Sequence, residues 1–128
     1  MKTKTIVDAL HFNDFEQFKV LLPNASQKQR RDALIEAATH GKNQYLSMLL
    51  PAKSNVRREA LMQAVIMGHI SSVSLLLPAH MRDSTALCCA IRHNQRAAFD
   101  LLLPITPLTS HQFMAVRACF HNNSQLHH

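Results

Sequence analysis

The sequence predicts an all-α protein, an α-solenoid of stacked antiparallel helix pairs with about four repeats and a C-terminal half-repeat. The tripeptide Leu-Leu-Pro occurs four times, ending at Pro23, Pro51, Pro78 and Pro104. Units therefore repeat every 26 to 28 residues, which is typical of repeat architectures. Apolar residues inside each unit follow helical spacing, and the chain's two glycines occupy equivalent places in successive units.

The first helix of each unit has apolar residues at i, i+3 and i+4, which lie on one face of a helix. These triplets are Ile6, Ala9 and Leu10; Leu34, Ala37 and Ala38; Leu61, Ala64 and Val65; Leu87, Ala90 and Ile91; and Ala115, Ala118 and Cys119. The middle residue is alanine in every unit. We therefore expect the helix backbones to approach closely there.

A residue that tolerates a left-handed backbone is needed between the two helices of each unit. Gly41 and Gly68 occupy this position, and Asn13, Asn94 and Asn122 replace glycine in the other units. Asparagine is the next-best residue for such a helix end. The pattern predicts that a helix ends and the chain reverses at all five positions.

The second helices follow these turns and carry their own apolar triplets. These are Phe18, Leu21 and Leu22; Leu46, Leu49 and Leu50; Val73, Leu76 and Leu77; and Phe99, Leu102 and Leu103. The proline after each triplet is expected to stop the helix, because it disfavours helical geometry in the preceding residue. We expect one domain over residues 1–128, with units at 4–23, 26–51, 54–78, 84–104 and 109–126. The last unit lacks a full second helix, which could leave apolar surface near Phe113 and Phe120 for a second copy of the chain.

The connecting segments contain good N-cap residues. Ser26 is followed three residues later by Gln29, a capping-box pair that predicts a helix from Gln27. The corresponding caps of the later units are predicted at Ser54, at Asp83 or Ser84, and at Thr109 or Ser110. The first helices should therefore be long, and the connections between helices should be tight turns.

Composition restricts the class of protein. With 47% hydrophobic and 17% charged residues the chain is expected to be globular, and it has no apolar run long enough to span a membrane. Asp8 and Asp14 interrupt any signal-peptide core near the start, so no leader is expected. Three cysteines cannot form a fully paired framework, which favours a reducing compartment. The net charge of +6 favours acidic partners in general.

Three segments, 32–50, 60–77 and 85–103, resemble the ankyrin repeat. Its consensus runs T-P-L-H-x-A-A-x-x-G-H, followed by an aliphatic stretch and Leu-Leu. The second segment keeps the Gly-His pair as Gly68-His69, and the third has Asn94 in place of glycine. Ankyrin repeats are about 33 residues long, so units of this length are expected to lack the β-turn finger and to contain essentially no strand.

The resemblance implies a non-catalytic protein-binding module, a small inhibitor or adaptor that binds one partner protein through the exposed side of its first helices. The main residues carried over onto that side are Glu36, His40, Gln63, Ile66, Met67, Arg92 and His93, and the same side includes Asp8, His11, Thr39, Arg117 and Phe120. An apolar centre at Ile66 and Met67 with a polar rim is typical of an interface, but these two residues could instead fill a gap between helices. The resemblance also implies a cytoplasmic location, or the host cytosol if the protein is a bacterial effector.

Basic residues form a second candidate surface, which we call the basic edge: Arg30, Arg31, Arg57 and Arg58. The two pairs recur in register, so they should lie side by side on helices about 8–10 Å apart. The basic edge could be a solvated row, could contact an acidic protein surface, or could bind nucleic acid. Nucleic acid is disfavoured because the chain has no Trp and one Tyr for base stacking.

Catalytic and metal-binding motifs are not evident. The sequence has no Gly-rich phosphate loop, no His-Glu-x-x-His and no nucleophile elbow. Cys89 and His93 are four residues apart and could share a helix face, but no third orienting group is apparent. The ankyrin-like alignment places both on exposed helix surface. The nine histidines lack metal-ligand spacing, so we predict no enzyme, no cofactor and no metal site.

Overall fold

The computed structural model describes the backbone of residues 5–126 and the side chains of residues 5–118. Within that range the chain forms nine α-helices, two short 3-10 turns and no strand. The helices are α1 (Ile6–His11), α2 (Phe15–Leu21), α3 (Gln27–His40), α4 (Asn43–Leu49), α5 (Ser54–Met67), α6 (Ile70–Leu76), α7 (Thr85–Arg92), α8 (Arg96–Leu102) and α9 (Ser110–Leu126). The predicted all-α class of paired helices is confirmed.

The chain divides into two compact units, Met1–Leu76 and Leu77–His128. The first unit contains three helix pairs, α1–α2, α3–α4 and α5–α6. The second contains the pair α7–α8 and the longer helix α9.

Left-handed residues end the first helix of four pairs, as predicted. The φ angles are 59° at Asn13, 68° at Gly41, 75° at Gly68 and 55° at Asn94. The residue after each of them donates its backbone N–H to a carbonyl five residues earlier, which is the Schellman arrangement. The four pairs are Asp14 to Ala9, Lys42 to Ala37, His69 to Ala64 and Gln95 to Ala90. The accepting alanines are completely buried, so the turn and the close packing coincide at one residue.

In the first unit, α1, α3 and α5 pack side by side, and each second helix packs back against its own first helix. The apolar triplets supply the core, with Ile6, Leu34 and Leu61 almost completely buried. The second helices also meet one another, α6 against α4. Between α2 and α4 the rings of Phe18 and Tyr45 lie edge to face, with centroids 4.9 Å apart.

Polar groups also join successive repeats of the first unit. The Lys42 ammonium, directly after Gly41, donates to the Leu10 carbonyl at the end of α1, at 2.7 Å. The equivalent residue of the next repeat, His69, lies with its ring against Gly41. The buried Ser72 hydroxyl of α6 donates to the Asn43 side chain of α4. Each repeat is therefore held to the one before it at the helix ends as well as through the core.

In the second unit, α7 packs against α8, and Leu87, Phe99 and Leu102 are buried there. The backbone N–H of Met81 donates to the Ile105 carbonyl at 2.9 Å, which fixes the segment before α7 beside the end of the α8 region. Helix α9 contacts α7. The core of this unit comes mainly from α7 and α8.

Predictions of helix starts are mostly confirmed. Ser26 and Gln29 form both bonds of a capping box, and α3 starts at Gln27. Thr109 forms the equivalent reciprocal pair with Gln112 ahead of α9. Before α7 the Asp83 carboxylate accepts the Thr85 N–H. The prediction for Ser54 is wrong by one residue, because α5 starts at Ser54 itself and Lys53 precedes it without a side-chain cap.

The prolines do not all act as predicted. Leu50, before Pro51, is extended with ψ 149°, and α4 ends at Leu49. Leu22 and Leu103, before Pro23 and Pro104, keep helical angles instead, and the chain passes there into 3-10 turns at Leu22–Asn24 and Leu103–Ile105. The fixed φ of proline is compatible with a 3-10 turn, and the α-helical hydrogen bonds end at this point in any case.

The fifth sequence repeat, at residues 109–126, departs most from the prediction. Helix α9 continues through Asn122 to Leu126, so the predicted reversal at Asn122 is wrong. Ala115 and Ala118, expected on the core face, are exposed. The chain reverses at a helix end when the turn lets a following helix bury apolar surface. No described helix lies beyond α9 to supply that packing. The predictions for the side chains of Cys119 and Phe120 lie outside the described residues.

Candidate functional site

The first helices of the first unit all end in the same local structure. Phe12, His40 and Met67 directly precede Asn13, Gly41 and Gly68, so they occupy equivalent positions at the ends of α1, α3 and α5. We call these three residues the helix-end row. Because α1, α3 and α5 pack side by side, the row runs across three neighbouring helices about 8–10 Å apart.

Two of the three members are large, exposed apolar side chains. Phe12 is 67% exposed and Met67 is 50% exposed, and His40 between them is also exposed. The Phe12 ring makes an edge contact with the His11 ring, with centroids 5.4 Å apart. Surface apolar residues are ordinary when they are scattered, but these two recur at one position of the repeat.

The predicted binding residues of the first unit lie beside this row. Glu36 is half-buried, one turn before His40, and its carboxylate is 3.0 Å from His40 Nε2. Gln63 and Ile66 are half-buried on α5. The structure thus groups the predicted residues of α3 and α5 on neighbouring helices, with Met67 more accessible than Ile66.

Arg92 and His93 belong to the second unit. They lie at the C-terminal end of α7, directly before Asn94, and both are exposed. His93 holds the position in α7 that Met67 holds in α5.

The prediction from sequence did not include Phe12. The repeat register contained the signal, because Phe12 precedes Asn13 as His40 precedes Gly41 and Met67 precedes Gly68. The family resemblance places Asp8 and His11 of this repeat on the exposed side instead.

The basic edge has mixed roles in the structure. The Arg30 guanidinium donates to the Leu22 carbonyl at 2.8 Å, and the Arg57 guanidinium donates to the Leu76 carbonyl at 2.9 Å. Both arginines are half-buried and supply a donor to a carbonyl at the end of a second helix. Arg31 on α3 forms an ion pair with Glu59 on α5 at 2.6 Å, and Arg58 is half-buried.

The possible thiol–histidine pair does not have the predicted exposure. Cys89 is buried in α7 and its neighbour Cys88 is exposed, whereas His93 is exposed. The prediction that Cys89 lies on exposed helix surface is therefore wrong, because the packed face of α7 is wider than the i, i+3, i+4 triplet. Over the described residues, no group of three His, Cys, Asp or Glu side chains is placed to hold a metal ion.

None of the described helices combines the length and the apolar character that crossing a bilayer requires.

Stacked helix pairs with left-handed turns and buried alanines define a helical repeat protein. A model of ankyrin repeats matches residues 6–84 as three copies, and the chain therefore belongs to the ankyrin repeat family. Neither the curated proteins nor the solved structures that were searched contain a match to the chain. Ankyrin repeats are generally protein–protein interaction modules and are typically non-catalytic.

Proposed function

We propose that this protein is a non-catalytic inhibitor or adaptor that binds one partner protein through the exposed side of its first helices. The observation that carries the proposal is the helix-end row. It presents Phe12 and Met67, 67% and 50% exposed, at equivalent positions of the first and third repeats, with His40 of the second repeat between them.

Burial of these side chains would supply much of the binding energy. Complete burial of a Phe or Met side chain contributes about 1.5–3 kcal/mol. The row stands on three helices that are fixed to one another by buried alanines and by the Lys42 bond to Leu10. A surface that is already ordered loses little conformational entropy on binding, so more of the burial energy appears as affinity.

A polar rim would provide orientation. In the proposal Glu36, His40 and Gln63 surround the apolar centre of Ile66 and Met67, and the Glu36–His40 pair can accept or donate hydrogen bonds to a partner. Arg92 and His93 of the second unit are proposed as further contacts, because they hold the same position in the repeat.

The test is a pull-down with the full chain followed by mass spectrometry, repeated with two double variants. Phe12→Asp with Met67→Asp places charge at both apolar positions of the row. Val20→Asp with Met48→Asp is the matched control, because these residues are exposed apolar side chains on the second helices, Val20 being 66% exposed.

We expect wild type and the Val20/Met48 control to capture one dominant protein, and the Phe12/Met67 variant to lose it. Circular dichroism and thermal melting should show the same fold for all three. Retention of the partner by the Phe12/Met67 variant would contradict the proposed surface. Loss from the control alone would move the interface to the second helices.

The alternative is that the basic edge binds nucleic acid or an acidic protein surface. It has less support, since Arg30 and Arg57 donate to carbonyls within the protein and Arg31 pairs with Glu59. Affinity for generic DNA or RNA that falls steeply with salt, and that is lost on Arg31→Ala with Arg58→Ala, would favour this alternative.

A cytoplasmic location, or the host cytosol for a secreted bacterial effector, is also part of the proposal. It rests on family analogy and on the free thiols of Cys88 and Cys89. Fractionation of the source cells with an antibody to the chain tests it directly.

A further inference from the structure

A groove of about 600 Å³ lies between α8 and α9 in the second unit. The wall on α8 and the turn after it is formed by Arg96, Phe99, Asp100 and Leu103. The wall on α9 is formed by Phe113, Met114, Arg117 and Ala118. Residues at these spacings share a helix face on each side, so the groove is a channel between two helices.

The repeat register shows what such a groove accommodates elsewhere. In the first unit, α6 packs both against α5, its own first helix, and against α4, the preceding second helix. The equivalent position in the second unit is between α9 and α8. Among the described residues no helix occupies it, because α9 continues through Asn122 and does not reverse.

The solvent exposure of side chains on α9 agrees with this comparison between the two units. Met114 is equivalent to Ala33 and Ala60, and Ala118 is equivalent to Ala37 and Ala64. All four alanines of the first unit are completely buried, whereas Met114 is 68% exposed and Ala118 is exposed. Positions that neighbouring helices bury in a regular repeat are therefore exposed on α9. One of them, Met114, has a large and conformationally adaptable side chain.

The charged residues that line the groove further restrict which ligand can bind there. Each wall contributes one arginine, Arg96 from α8 and Arg117 from α9, against the single carboxylate of Asp100. The Arg117 guanidinium lies over the Phe113 ring, 5.8 Å from its centroid, so the positive charge is held at the apolar surface. The groove therefore has an apolar floor and a net positive border.

We propose that this groove binds an amphipathic helix from a partner protein, with apolar residues at i, i+3 and i+4 and acidic residues beside them. The helix takes the position of a second helix for the fifth repeat. Its apolar face covers Leu103, Phe113 and Met114, and its carboxylates pair with Arg96 and Arg117. This site is independent of the helix-end row.

Two synthetic fluorescein-labelled helices test the proposal on the full chain by fluorescence anisotropy. Both carry leucine and phenylalanine at the repeat spacing, one with flanking glutamates and one with flanking lysines. We expect the glutamate helix to bind at least about tenfold more tightly than the lysine helix, with an affinity that falls as salt rises. Arg117→Glu should reverse this preference.

Met114→Asp is the second variant, with Met48→Asp as its matched control, because Met48 is an exposed methionine of α4 outside both proposed surfaces. We expect Met114→Asp to weaken the glutamate helix at least about tenfold and Met48→Asp to change it less than about twofold. In the pull-down, Met114→Asp compared with the Phe12/Met67 variant separates failure of this proposal from failure of the helix-end row.

Equal binding of the two helices, or equal effects of the two methionine variants, would overturn the proposal. So would a homodimer in light scattering that Met114→Asp dissociates, because the groove would then be occupied by a second copy of the chain. Arg117→Glu keeps the test decisive if Met114→Asp alters folding.

Discussion

Substitution of Gly41 tests how tightly successive repeats are joined. Its φ of 68° lies in the left-handed region, and a Cβ built there would be 2.8 Å from Nδ1 and 3.0 Å from Cγ of His69. Gly41→Ala therefore has two costs: an alanine in a left-handed conformation, about 1–2 kcal/mol, and displacement of the His69 ring from its rotamer, about 0.5–1.5 kcal/mol. We expect the free energy of unfolding to fall by about 1.5–3.5 kcal/mol.

Two further variants separate these costs. Gly41→Asn should be less destabilising than Gly41→Ala, because asparagine already adopts this conformation at Asn13 and Asn94. In a His69→Ala background, Gly41→Ala should retain only the backbone cost. A double-mutant cycle should therefore show a coupling of about 0.5–1.5 kcal/mol between the two sites.

The assay is urea unfolding followed by far-UV circular dichroism for wild type, both single alanine variants, the double variant and Gly41→Asn. Strict additivity of Gly41→Ala and His69→Ala would refute the inferred contact between repeats. A Gly41→Asn variant less stable than Gly41→Ala would refute the assignment of the main cost to the backbone.

Two other predictions follow from local contacts. Ser26→Ala removes the capping box of α3 and should lower the free energy of unfolding by about 1 kcal/mol in urea titrations, while Ser54→Ala, which alters no side-chain cap, should change it little. Burial, with the Asp14 carboxylate adding to it, raises the pKa of Tyr45 above its usual 10.0. The unfolded chain therefore loses this proton first, so the Tyr45 contribution to stability is complete below pH 10.0 and falls as the pH rises above it. Absorbance titration of the single tyrosine should show the raised pKa. Tyr45→Phe should reduce the loss of stability that urea unfolding measures at alkaline pH. A normal pKa of Tyr45 would contradict the burial argument.

Much of the fold was predictable because its signals are local. The capping box at Ser26 and the left-handed residues at Asn13, Gly41, Gly68 and Asn94 act within a single turn of chain, so residue type and repeat register predicted the helix boundary at these positions. The alanines of the first helices were predictable for a related reason, since only a small residue allows close approach of backbones at every repeat.

The candidate site was less predictable. Glu36, His40 and Met67 could be placed near one another from the register, but the exposure of Phe12 required knowledge of how α1 packs. The structural roles of Arg30 and Arg57 were not predictable either, because their acceptors, the carbonyls of Leu22 and Leu76, lie at the ends of other helices. Charge and periodicity describe where an arginine lies on its own helix and do not reveal which carbonyl it reaches.

The sequence alone was enough to predict the family, the helix pairs and most helix boundaries. These follow from the spacing of apolar, small and helix-ending residues, because helix formation and helix ends depend on hydrogen bonds and torsions within a few residues. Packing between helices decided the rest. It buried Cys89, left Phe12 and Met67 accessible, and allowed α9 to pass through Asn122. An asparagine permits a left-handed turn but does not require one, and the turn forms only where a neighbouring helix gains buried surface from it.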